Sequence, residues 1–92
     1  MLQEVLVTIY GATSGGFMEV ADGRMDVKTT TEDPFTREDA VKCLAYFLGT
    51  TYRQAMDDRS KYDARKVVAA ARFPDHGMVY ADGLGREKEI SS

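Results

Sequence analysis

Residues 4–10, Glu-Val-Leu-Val-Thr-Ile-Tyr, form an almost unbroken apolar run rich in β-branched and aromatic side chains. Such a run predicts a strand, and apolar residues on both faces predict a central place in a sheet. Val5, Val7 and Ile9 then share one face, and Leu6, Thr8 and Tyr10 the other. The glycine-rich stretch that follows, residues 11–16, predicts a strand-to-strand turn.

The next segment alternates. Asp22-Gly23 is a strong two-residue hairpin signal, because both residues tolerate positive φ. A turn there pairs Ala21 with Arg24, Val20 with Met25, Glu19 with Asp26 and Met18 with Val27. Met18, Val20, Met25 and Val27 then fall on one face, with Phe17, Glu19, Asp26 and Lys28 on the other. The like-charge Glu19–Asp26 pair costs a few tenths to about 1 kcal/mol, which predicts that this second face is solvated.

After a polar break, Thr36 is placed to N-cap a helix with Asp39 as capping-box partner. Ala40, Val41, Leu44, Leu48, Tyr52 and Ala55 recur at helical spacing. At Gly49 the helix either ends, with Thr51 and Gln54 capping a second piece, or runs on to about Asp57 and packs closely at the glycine; continuation with a kink is the expectation. A second helix is expected from Ser60, with Ala64, Val67, Val68 and Ala71 on its apolar side. It stops at Phe73-Pro74, because proline disfavours helical geometry in the residue before it. Residues 74–77 predict a turn and residues 78–81 a short strand. From about residue 86 the chain reads as a polar tail or edge strand. The predicted order is β-β-β-α-α-β. This is an α+β single domain, an antiparallel sheet of about four strands with a helical pair on one face.

Composition narrows the function more than it identifies it. With 92 residues, 43% hydrophobic and 29% charged, the chain reads as one ordinary globular domain. A domain this small has little room for a deep active-site cavity. No apolar run reaches the roughly 18 residues of a membrane span. The first eleven residues lack the basic region and cleavage site of a signal peptide. The single cysteine, Cys43, adds the expectation of a cytoplasmic setting. The net charge of −3 argues against wholesale non-specific nucleic-acid binding.

Several catalytic and ligand-binding chemistries fit these residues poorly. Residues 8–16 superficially suit a phosphate-binding glycine loop, but no helix or Gly-Lys pair follows. Cys43, His76 and Asp75 are the raw material of a cysteine hydrolase, without a local signature that joins them. One His and one Cys make a poor metal set, and no cofactor is expected. No motif carries a resemblance to a known family.

The basic residues of the expected second helix carry the functional reading. Lys61, Arg65 and Arg72 fall within about 40° of one another on a helical wheel, with Tyr62 and Lys66 alongside. Tyrosine among basic residues suits a protein interface or nucleic-acid contact. Arg24 and Lys28 on the hairpin extend the candidate binding surface. The expected function is non-catalytic docking on a larger protein or nucleoprotein complex. A phage or mobile-element inhibitor of the anti-CRISPR kind is its concrete form. Direct RNA or DNA binding, with backbone contacts, is the first alternative, and a small cysteine enzyme the second.

One repetition runs through all this. Met18-Glu-Val-Ala-Asp-Gly23 returns as Met78-Val-Tyr-Ala-Asp-Gly83. It reads as shared turn chemistry, with the first copy closing a hairpin and the second ending a strand.

Overall fold

The computed structural model describes residues 2–28 and 34–89. The first apolar run forms β1, Leu2–Thr13, and it leads into β2, Gly16–Lys28. Ser14-Gly15 is the turn between them, with Thr13 paired to Gly16. The Thr13 hydroxyl donates to the Gly16 carbonyl at 3.1 Å and accepts from the Gly15 N–H at 3.3 Å. A strand-to-strand turn therefore forms in the glycine-rich stretch, as expected, but it is shorter than the stretch, and Gly11, Ala12 and Thr13 extend β1.

The expected hairpin at Asp22-Gly23 does not form. β2 runs straight through it, with Asp22 paired to Thr8 and Gly23 to Val7. Gly23 is needed here for another reason. A Cβ on it would come within 2.8 Å of the Phe47 ring. The apolar pattern that suggested a turn has a different cause. Ala21 pairs with Ile9 but Glu19 with Tyr10, so Val20 is the extra residue of a β-bulge. A bulge changes parity once, as a two-residue turn does. It returns Met18 to the side of the sheet that carries Met25 and Val27.

The helix begins as expected. The Thr36 side chain accepts from the Asp39 N–H at 3.1 Å, and the Asp39 carboxylate accepts from the Thr36 N–H at 3.0 Å. Helix α1, Arg37–Phe47, passes into a π-helical turn, Leu48–Tyr52, and ends in a short α-helical piece, Arg53–Ala55. Gly49 lies in the wide turn. Nothing lies within 4 Å of where its Cβ would be, so close packing does not explain it.

The expected second helix is replaced. Arg59–Lys61 make one 3-10 turn, and Val67–Phe73 form strand β3. The alanines there favour helix over valine by only about half a kcal/mol each. Burying Val67, Val68 and Phe73 is worth roughly 1.5–3 kcal/mol apiece, so tertiary pairing wins. β4, Gly77–Asp82, follows a turn at residues 74–76, and β5, Glu87–Lys88, closes the described chain. The observed order is thus β-β-α-β-β-β. The end of the expected polar tail, like the polar break over 29–33, lies outside the described residues.

The strands make one antiparallel sheet in the order β2-β1-β3-β4-β5. β1 is central, and the α+β class with an antiparallel sheet and helical cover on one face holds. α1 packs mainly on β4 and β3. Ala69, Ala71 and Ala81 lie under it, small enough for close approach, and are almost fully buried with Leu44 and Leu48. Val5, Val7, Ile9, Val27, Phe73 and Val79 complete this layer. Among the described residues, no helix is long and apolar enough to cross a membrane.

Candidate functional site: the open face of the sheet

Because side chains alternate, each strand also presents residues away from the helix. Three cross-strand rows cross the opposite face, beside the β1–β2 pairs Glu4–Asp26 and Leu2–Lys28. One runs Arg24–Leu6, then Arg72–Met78. Leu6 and Arg72 are adjacent because they lie one step beyond the paired Val7 and Ala71. The second row is Asp22–Thr8–Ala70–Tyr80–Lys88. The third is Glu19–Tyr10–Val68–Asp82. Among the described residues, no helix lies over these rows.

The middle of this face is not simply solvated. Val68 and Ala70 are 1% exposed although they point away from the helix. Their flanking neighbours are Tyr10 and Tyr80, both half-buried. Leu6, by contrast, is 66% exposed, and Met78 beside Arg72 is exposed too. The result is an apolar and aromatic strip with Arg72 at its centre. The β2 side of the face is acidic, with Glu4, Asp22 and Asp26. Arg24 meets Glu4 there at 3.5 Å, both well exposed, a pair worth at most about 1 kcal/mol.

At one corner, Asp82 is fully buried. It accepts from the Leu84 and Arg86 N–H groups at 3.0 Å, and its other oxygen meets the Arg86 guanidinium at 2.9 Å. Burial alone would raise its carboxyl. The hydrogen bonds from Arg86 and Leu84 outweigh it and hold the group below the usual carboxylate range. Asp82 is a clamp on the β4–β5 turn.

The basic surface expected on a second helix is not assembled, because that helix is absent. Lys61 sits in the 3-10 turn, and Arg65 and Lys66 lie in the loop before β3, all exposed. Arg65 lies 3.6 Å from the Asp63 carboxylate. Tyr62 is packed inward. Its ring lies 5.6 Å from the Arg53 guanidinium and 6.4 Å from the Tyr52 ring. Its hydroxyl is buried without a hydrogen-bond partner, and burial pushes its ionisation up. Of the sequence candidates, Arg24 and Lys28 on β2 and Arg72 on β3 reach the open face. Leu6, Tyr10, Met78 and Tyr80 were not among the sequence candidates. Apolar residues in a strand read as core until it is known which face is covered.

The cysteine set is not supported by its surroundings. Cys43 lines a hollow with Met25, Tyr46 and Phe47, and burial, then Asp39, pushes its thiol up. That direction opposes activation. His76 Nε2 lies 2.6 Å from the Phe35 carbonyl, in the β3–β4 turn. Among the described residues, no three His, Cys, Asp or Glu side chains converge to hold a metal ion. No protein-family model matches the chain, and no curated protein or solved structure matches it.

Proposed function

We propose that this protein is a non-catalytic binding module that docks on a larger protein through the open face of its sheet. The observation that supports this reading is the exposed Leu6–Arg72–Met78 strip beside Tyr80 on the sheet face away from the helix. Exposed apolar residues next to Arg and Tyr are the composition of interface hot spots. A cytoplasmic inhibitor of the phage or mobile-element kind, docking on a host nucleoprotein complex as anti-CRISPR proteins do, is a concrete form of the reading.

The test is capture from native lysate with wild type and with a Leu6→Asp/Arg72→Glu variant, with and without nuclease. Both positions are exposed, so the variant keeps its circular dichroism spectrum and melting temperature. The reading expects a partner that survives nuclease and is lost with the variant. Equal capture by both proteins would reject this face.

Single-stranded nucleic acid is the second reading. It is favoured by Tyr10 and Tyr80 on a sheet surface with Arg72 and Lys88 nearby, since bases stack on such rings. The acidic β2 side opposes it. This reading expects affinity for an oligonucleotide that falls steeply with salt. No binding at low salt would end it.

A further inference from the structure

β2 ends the sheet, so among the described residues its outer edge pairs with no strand. An edge of unpaired N–H and C=O groups is a template for another strand. From Ala21 to Lys28 this edge is regular, with the bulge behind it. Its open-face side chains are Asp22, Arg24, Asp26 and Lys28, all exposed. Their signs run minus, plus, minus, plus. Read backwards, that series is its own complement. Of the four, only Arg24 has an ion pair among the described residues. Asp26 lies directly across from Glu4, a like-charge placement that disfavours leaving it unpaired.

We propose that β2 pairs antiparallel with β2 of a second copy of this chain, about a two-fold axis at Met25. In that register Arg24 of each copy faces Asp26 of the other, and Asp22 faces Lys28. All four charges of each copy meet their opposites. Moving the axis to Arg24 or Asp26 sets like charge on like. Moving it to Gly23 or Val27 leaves half of the charges without an opposite. Alternating charge therefore selects one register as well as one partner. Charges that merely guard an edge carry no such register.

The other side of the strand fits the same axis. There Met25 meets Met25, and Val27 comes beside Gly23 and the Phe47 ring that covers it. Along β2 at Met25 lies a hollow of about 460 Å³, walled by Cys43, Tyr46, Phe47 and Thr50. Tyr46 on its rim is 73% exposed. The helix packs mainly on β3 and β4, with its Phe47 ring over Gly23, and the hollow beside Met25 stays open, so the two hollows face each other across the axis. Pairing joins the two sheets into one and sets two open faces side by side. The inference rests on the β2 edge and is independent of what the open face binds.

Sedimentation equilibrium tests it with charge-swapped variants. Arg24→Asp/Lys28→Asp makes the strand face wholly acidic, and Asp22→Lys/Asp26→Lys makes it wholly basic. All four positions are exposed, and circular dichroism checks the fold of each variant. Wild type is expected at twice the chain mass of 10.2 kDa. Each variant alone is expected at the single-chain mass, and their equimolar mixture at the doubled mass again. Wild type at the single-chain mass overturns the proposal and leaves β2 as a guarded edge or a seat for another protein's strand. A dimer that persists in both variants overturns it too, by placing the contact elsewhere. The Leu6→Asp/Arg72→Glu variant stays dimeric, so loss of capture and loss of dimer separate the two proposals.

Discussion

At Ala21-Asp22-Gly23 the chain runs straight through a strand, and at Ala81-Asp82-Gly83 it turns. The tripeptide is the same, and its surroundings decide. Asp22 is exposed and accepts no hydrogen bond among the described residues, whereas Asp82 is buried and holds the Leu84 and Arg86 N–H groups. The second copy closes onto β5, with Ala81 paired to Glu87 and Tyr80 to Lys88. The left-handed residue of that turn is Gly85, at φ 83°. Neither Gly23 nor Gly83 has positive φ, so the property that makes Asp-Gly a hairpin signal is unused in both. Both glycines answer to close approach. The Phe47 ring abuts Gly23; the Tyr62 hydroxyl and Ala64 abut Gly83. An Asp-Gly pair therefore marks a turn only where its surroundings complete one, as the Leu84 and Arg86 N–H groups do on Asp82.

Exchanging the aspartates widens the contrast most. Asp82→Ala orphans two backbone N–H groups and is expected to cost about 3 kcal/mol. Asp22→Ala is expected to stay within about 0.5 kcal/mol. Urea denaturation of the two variants reads the difference, and equal costs would erase it. The glycines come next. Gly83→Ala drives a Cβ to 2.8 Å from the Ala64 backbone, which cannot swing aside. About 2–3 kcal/mol is expected, against about 1 kcal/mol for Gly23→Ala, where a ring can tilt. Thermal melts of this pair check the order.

The smallest effect is the acid limb of stability. The Asp82 carboxyl stays ionised in the folded protein at pH values that protonate it in the unfolded chain. Its contribution is complete above about pH 4 and is lost as pH falls through the lower folded value. Asp82→Ala should flatten that limb in a pH series of denaturation midpoints. An unchanged limb would contradict the clamp.

What could be read from the sequence was what neighbouring residues decide among themselves. The Thr36–Asp39 capping box, the turns at residues 14–15 and 74–76, and the strand character of β1 and β4 are of this kind. The alternation of Arg24, Met25, Asp26, Val27 and Lys28 was legible too, because a strand has the same two faces whichever strand it joins. Its partner was not legible. Parity alone cannot separate a two-residue turn from the bulge at Val20. β3 was hidden by its alanines, which are good helix formers and here make room for a helix above them. The site followed the fold. Arg24, Lys28 and Arg72 stand out by charge and lie on the open face. Lys61, Tyr62, Arg65 and Lys66 share a face only on a helix, and tertiary pairing puts a 3-10 turn, a loop and β3 in its place. Leu6, Tyr10, Met78 and Tyr80 became visible only once one helix was seen to cover one side of the sheet.

The open face, its rows and the β2 edge all depend on the path of the chain through Asp22 and Gly23. Cross-strand proton–proton contacts by nuclear magnetic resonance test that path directly. A strand that runs straight through predicts contacts between Val7 and Gly23 and between Leu6 and Arg24, with none between Val20 and Met25. Contacts joining Val20 to Met25 and Ala21 to Arg24 would restore the turn at Asp22-Gly23 and contradict it.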